Sequence, residues 1–248
     1  MPKFDMGAAW DDAVLLLKSH SALTGAIASV FLFLPTLAVS WFGPQPIEPA
    51  AGATFEQIMQ ALQATMRQML PYQLLIALIA AVGGVGIMRL WLARSGTSVS
   101  EALGFALKML PTMIGVQILT GLAMGIGFIL LLVPALYLMG RLALVSAFVA
   151  DRGIANPLTA IGESWSLTKD NGWRIFFFLF LVGLVIGILT LIVAGIVGAA
   201  FGTTEGAGLI LTGLVEAGFA AVGGLVSAAI CAATYRQLAL RDADRVFS

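Results

Sequence analysis

The sequence predicts an all-α polytopic membrane protein with six transmembrane helices and additional amphipathic interfacial helices. Three observations carry that prediction. Hydrophobic residues make up 60% of the 248 and charged residues only 10%, against about 25% charged in a soluble domain, and the mean hydropathy is +1.00. The charges cluster, which leaves apolar runs of roughly twenty residues, enough at 1.5 Å per residue to cross a ~30 Å hydrocarbon core. All five tryptophans, Trp10, Trp41, Trp91, Trp165 and Trp173, fall at the ends or flanks of those runs, where an aromatic belt meets the headgroups.

The spans follow in order. The first runs from Ala22 to Phe42. It begins behind a segment carrying Asp5, Asp11 and Asp12, which does not fit the short basic start of a signal peptide. The second runs from Pro71 to Leu92. The stretch Leu110 to Ala150 is too long for one crossing and holds two, with a turn expected near Gly125–Gly127. The fifth covers Ile175 to Phe201 and the sixth Leu209 to Ala233. With the N-terminus in the cytoplasm, Lys3, Lys18, Arg89, Arg94, Lys108, Arg141, Arg152, Lys169, Arg174, Arg236, Arg241 and Arg245 lie inside and only Arg67 outside. This bias predicts both termini on the cytoplasmic side.

The segments between spans carry helical periodicity. Met6, Ala9, Trp10, Ala13, Val14 and Leu17 share one helical face; so do Val99, Ala102, Leu103, Ala106, Leu107 and Leu110, and so do Pro157, Ala160, Ile161, Ser164, Trp165 and Thr168. Ser98 with Glu101 forms a capping box, and Asn156-Pro157 starts the third helix. Each such helix precedes two spans. The chain therefore reads as a single transmembrane domain, residues 1–248, built of three units at about 4–93, 98–151 and 156–240, with Ala9, Ala102 and Ala160 in equivalent places. A further amphipathic helix, Thr54 to Leu70, is expected outside the membrane, with Phe55, Ile58, Met59, Leu62, Met66 and Met69 on one face.

Polar residues within spans need a reason. Glu216 in span six, Gln117 in span three and Arg141 in span four are the candidates for a substrate or lipid headgroup site, with interhelical hydrogen bonding as the other reading. Gly121/Gly125 and Gly183/Gly187 are small-residue pairs at four-residue spacing, and Gly223 lies on the small face that Glu216 shares; these are the expected helix-packing positions.

The functions excluded are as informative. Net charge is zero, which argues against nucleic acid as a partner. One cysteine (Cys231) and one histidine (His20) leave no metal site and no cofactor predicted. No phosphate-binding loop, dinucleotide fingerprint, G-x-S-x-G or H-E-x-x-H occurs, so no catalytic residue is assigned.

One stretch resembles a known pattern. Pro134, Tyr137 and Arg141, followed by Ala160, Ser164, Leu167-Thr168-Lys169 and Trp173, are similar to the P-x-x-Y-x-x-x-R … A-x-x-x-S-x-x-L-T-K … W pattern of bacterial proteins grouped with the glycerophosphoryl diester phosphodiesterase membrane domain, including YciC-type inner-membrane proteins. The resemblance covers about Ser98 to Arg174. It implies a six-helix module of the bacterial inner membrane, brings Tyr137 into the candidate site one turn from Arg141, and carries no hydrolase, since in that family hydrolysis belongs to a separate soluble domain. The functional expectation is a non-enzymatic membrane module binding lipid or a partner protein. A small transporter or flippase-like protein using Glu216, and a membrane lipid enzyme, stay open beside it. Membrane lipids are the expected partners, with a membrane protein or a second copy also open.

Overall fold

The computed structural model describes residues 3–47, 49–93, 96–130, 132–202 and 206–246, and their side chains except those of 130 and 240–246. Arg94 and the side chains of Arg241 and Arg245, three of the basic residues used to orient the chain, lie outside this set. Among the described residues the fold is helical throughout, and six helices are long and apolar enough to cross a membrane.

Ten helices follow in order. Surface helix α1 (Met6–Ser19) starts at Asp5, whose carboxylate accepts from Ala8 N–H at 3.1 Å. Span α2 (Ser21–Phe42) contains a π-helical turn at Ser29–Phe33. Span α3 (Phe55–Leu92) opens with a Thr54/Gln57 capping box. Surface helix α4 (Val99–Lys108) opens with the expected Ser98/Glu101 box. Span α5 (Leu110–Leu130) is followed by span four, which is broken into α6 (Leu132–Leu142) and α7 (Val145–Arg152). Surface helix α8 (Pro157–Leu167) leads to spans α9 (Gly172–Phe201) and α10 (Gly206–Val246). The order surface helix, span, span thus occurs three times.

The outside of the bundle is apolar along its length. On α9, Phe177, Phe180, Leu184, Ile188, Ile192 and Ile196 are all exposed, the last at 65%. Water would not tolerate that surface; acyl chains do. The core is made of small and medium side chains, with Phe148, Ile87, Leu144, Ile175 and Ile230 fully buried.

The three surface helices seat themselves through small residues. Ala9 and Ala13, Ala102 and Ala106, and Ala160 and Ser164 occupy equivalent i, i+4 positions, and none is more than 1% exposed. The broader apolar face expected for α1 is narrower: Ala9, Ala13 and Leu16 are buried, while Met6 and Trp10 remain 37% and 43% exposed. Helix α1 lies against α10, with Arg236 3.3 Å from Asp12 and the Asp5 N–H donating to Gln237 Oε1 at 3.2 Å. Phe4, just before α1, donates its N–H to Asn171 Oδ1 at 2.8 Å and packs its ring 5.8 Å from Phe178.

Two expectations are corrected. The helix expected at 54–70 and the span expected at 71–92 are one continuous helix of 38 residues, with Pro71 inside it. Proline removes a single hydrogen bond from that ladder, which a helix of about 57 Å survives. The turn between spans three and four is not at Gly125–Gly127, which are helical; the two helices end and begin at Leu130 and Leu132. Pro134 marks this start, because first-turn N–H groups have no intrahelical acceptor and their loss costs nothing. It therefore opens span four rather than kinking it. Gly127 serves the hairpin differently: a Cβ there would lie 3.0 Å from the Ala135 Cα, so its absence lets α5 and α6 close together.

The helix-packing glycines are also redistributed. Among the described residues, no atom beyond the glycine's own stretch of helix lies within 4 Å of a Cβ placed at Gly121, Gly125, Gly183 or Gly187, and Gly223 meets Ile186 Cγ2 at an ordinary 3.6 Å. The close approaches fall elsewhere. The π-turn of α2 drives Phe31 against Gly83 and Leu32 against Gly224, while Gly140 of α6 faces the Gly172 carbonyl of α9.

Candidate functional site

A broken span must dispose of the carbonyls its break releases. In span four, partners from two other helices take them. The Ser164 hydroxyl donates to the Arg141 carbonyl at 2.8 Å, and Thr168 Oγ1 lies 3.1 Å from the same oxygen and 2.7 Å from Ser164 O. The Cys231 thiol donates to Ala143 O at 3.1 Å. Ser164 and Thr168 are both 0% exposed. At the far end of α7, Gly153 adopts a left-handed φ of 65°, and Arg89 Nη1 donates to Ala150 O at 2.9 Å and Asp151 O at 2.8 Å. A guanidinium there satisfies orphan carbonyls and the negative end of the helix dipole together. Tyr235 donates to Asp151 Oδ2 at 2.6 Å, which ties α10 to the same corner.

These bonds fix the backbone from which the Arg141 side chain departs. The arm crosses Gly172, where a Cβ would come within 2.7 Å of Arg141 Cδ and 3.0 Å of Tyr137 Cε2. The guanidinium carbon sits 4.2 Å from the Trp165 ring centroid and 5.8 Å from that of Tyr137. Tyr137 in turn meets Trp165 edge-on at 6.2 Å and Trp173 at 5.6 Å. Arg141 is 3% exposed, and its Nε and Nη1 have no hydrogen-bond partner. The described ion pairs, Arg152–Glu163 and Arg236–Asp12, do not involve it. A guanidinium cannot shed its proton, and ring faces supply only about 2 kcal/mol to a desolvated cation. The site is thus a fixed positive charge in an aromatic box with two donors unspent.

The four residues expected to form a substrate or lipid site fall in three places. Tyr137 and Arg141 meet here. Gln117 Nε2 donates to Ala77 O at 3.4 Å, linking α5 to α3. Glu216 Oε2 accepts from Ser40 Oγ at 3.3 Å, toward the opposite end of the bundle. Ser164 and Thr168 bond the Arg141 carbonyl, Trp165 faces its guanidinium, and Trp173 meets Tyr137; the sequence showed them only as a helical face, a motif and an aromatic belt. Their spacing from Tyr137 and Arg141 was the available signal; nothing in the sequence marks Gly140 and Gly172. Among the described residues, no group of three or more His, Cys, Asp or Glu is placed to hold a metal ion.

A second cleft lies between α5, α6 and α7. It has a volume of about 300 Å³ and is lined chiefly by Met113, Val116, Met124, Leu138, Met139 and Leu142. Its walls suit an acyl chain better than any polar solute.

No protein-family profile matches the chain, and no curated protein and no solved structure matches it either. The chain is a six-span integral membrane protein on its own structural evidence.

Proposed function

We propose that this protein is a lipid-binding membrane module, and that the Arg141 box holds an anionic lipid headgroup. One observation carries the reading: a buried arginine with an aromatic enclosure, no ion pair among the described residues, and two nitrogens, Nε and Nη1, without a hydrogen-bond partner. Charges at membrane depth are costly unless paired, and guanidinium presents a planar fork suited to phosphate. The flanking Trp165 and Trp173, 42% and 39% exposed, have the amphipathic rings that favour the headgroup zone. The apolar cleft between α5 and α6–α7 supports the same reading, as a seat for lipid tails.

The basic residues support an orientation with this end in the cytoplasm of a bacterium. Lys18, Lys108, Arg152, Lys169 and Arg174 lie at the end of the bundle that also carries α1 and the close of α10, and Arg67 lies at the other. The shared buried pairs of α1, α4 and α8 support descent from a triplicated unit. The convergence of Tyr137, Arg141, Ser164, Thr168 and Trp173 supports kinship with the phosphodiesterase membrane-domain group.

The test is lipid retention. Wild type, Arg141→Lys and Arg141→Gln are purified from native membranes, and their bound lipids are quantified by native mass spectrometry. Hydrogen bonds to a charged group are worth about 1.5–3 kcal/mol, so Arg141→Gln is expected to lower affinity for phosphatidylglycerol over phosphatidylcholine by roughly ten- to a hundredfold. Arg141→Lys keeps the charge but loses the fork, and is expected to fall between. A folded Arg141→Gln that retains anionic lipid as wild type does refutes the proposal.

A further inference from the structure

At the end of the bundle opposite the chain's first helix, spans α2, α3 and α10 leave a cavity of about 370 Å³ beneath the Pro44–Pro46 loop. Its polar wall consists of Thr36, Ser40, Gln45, Gln73, Thr212 and Glu216. Among the described residues no lysine, arginine or histidine lines it, and Glu216 is the charged group on its wall. That carboxylate lies ten residues into α10, about 15 Å along the helix from Gly206. Its described partner is the Ser40 hydroxyl, which does not neutralise it. Glu216 is exposed to this space, unlike the buried arginine across the bundle, and a carboxylate within an apolar span with no described cation beside it calls for a partner.

A second observation points the same way. Thr212 Oγ1 is buried and has no hydrogen-bond partner. The Thr36 hydroxyl spends its hydrogen on Leu32 O at 2.8 Å and has lone pairs left to offer. The wall thus sets hydroxyl and amide oxygens that can accept around a single carboxylate. The rest of its wall, including Val39, Met69, Ile76 and Leu209, is apolar. A metal ion would want more carboxylates. A quaternary ammonium would want ring faces, and no aromatic residue lines the space. What remains is a positive group with N–H donors on a short hydrocarbon body. At about 30 Å³ per water, the volume equals about a dozen water molecules.

We propose that this cavity binds a primary ammonium group, with Glu216 as the counter-charge and Thr212 as a hydrogen-bond acceptor. The ammonium belongs either to a free alkylamine or to an ethanolamine lipid headgroup. The site shares no residue with the Arg141 box, so the outcome of the lipid-retention test does not decide it.

The experiment uses the full chain in phosphatidylcholine nanodiscs, titrated calorimetrically with n-butylammonium chloride and, in parallel, with 1-butanol. Butylammonium is expected to bind at least tenfold more tightly than the neutral alcohol, a comparison that needs no variant. Glu216→Gln is expected to weaken it at least tenfold, and Thr212→Val about threefold to tenfold. Repeating the titration in phosphatidylethanolamine nanodiscs separates the sources. Loss of the butylammonium signal there shows that the lipid headgroup occupies the site; an unchanged signal shows a site for free amines. Equal binding of the alcohol, undiminished binding by Glu216→Gln, or no butylammonium binding in phosphatidylcholine overturns the proposal.

Discussion

Two glycines in neighbouring spans should respond to the same substitution with opposite sign. Gly140→Ala would place a Cβ 2.9 Å from the Gly172 carbonyl carbon and 3.1 Å from Phe176 Cβ, and closer still to the Gly172 oxygen. Tight Cβ contacts relax cheaply when the neighbour is a flexible side-chain tip. Here the neighbour is backbone at the start of α9. Restoring ordinary 3.4 Å contact with the Gly172 oxygen requires α6 and α9 to part by more than ~1 Å, and overpacking of this kind costs about 1–3 kcal/mol. Gly183→Ala adds a methyl that nothing in the chain approaches within 4 Å. It gains only helix propensity, about 0.5–1 kcal/mol in its favour. Unfolding both variants in mixed micelles of increasing denaturing-detergent fraction should therefore separate them by about 2–4 kcal/mol around wild type. If Gly140→Ala unfolds no earlier than Gly183→Ala, the close packing of spans four and five is not as described.

Removing both hydroxyls that serve the Arg141 carbonyl, in Ser164→Ala/Thr168→Val, strands a buried acceptor. It should cost about 1–3 kcal/mol in the same micelle assay; an unchanged midpoint would show that the break in span four needs no such support. At α4, the Ser98 backbone N–H at 2.8 Å and its hydroxyl at 2.9 Å hold the Glu101 carboxyl below its ordinary range. Because the folded value is the lower one, the cap's contribution is complete above the unfolded value and fades as pH falls through the folded one. Amide protection factors, which remove the intrinsic pH dependence of exchange, should fall in the first turn of α4 over that acidic window in wild type and stay flat in Glu101→Gln, which keeps an acceptor without a titrating proton.

How much of this was legible beforehand depends on what each feature answers to. The spans answer to the bilayer, which demands long apolar runs whatever the helices pack against; the first, fifth and sixth apolar segments are therefore readable at once. The surface helices answer to a local rule, periodicity plus a cap, and Ser98/Glu101 announced α4. Ala9, Ala102 and Ala160 were also visible as equivalent, and all three are buried. Glycine contacts answer to a partner that local sequence does not contain. Gly183 sits in a conspicuous G-x-x-x-G and touches nothing, whereas Gly140 sits in no pattern and touches Gly172. The hairpin between spans three and four was misplaced because Gly125 and Gly127 drew attention from Pro134, the residue with a geometric reason to stand at a helix start. The Arg141 box lay half in view: spacing paired Tyr137 with Arg141, but only the fold brings in tryptophans from both ends of α8 and α9.

The six small buried residues of α1, α4 and α8 carry one more implication. At those positions alanine and serine let each surface helix lie with its backbone close against the bundle, so three peptide rods cover part of that end of the protein. On the lipid-binding proposal, a headgroup that reaches Arg141 from the side passes between those rods, so thickening or stiffening the surrounding bilayer should slow its exchange.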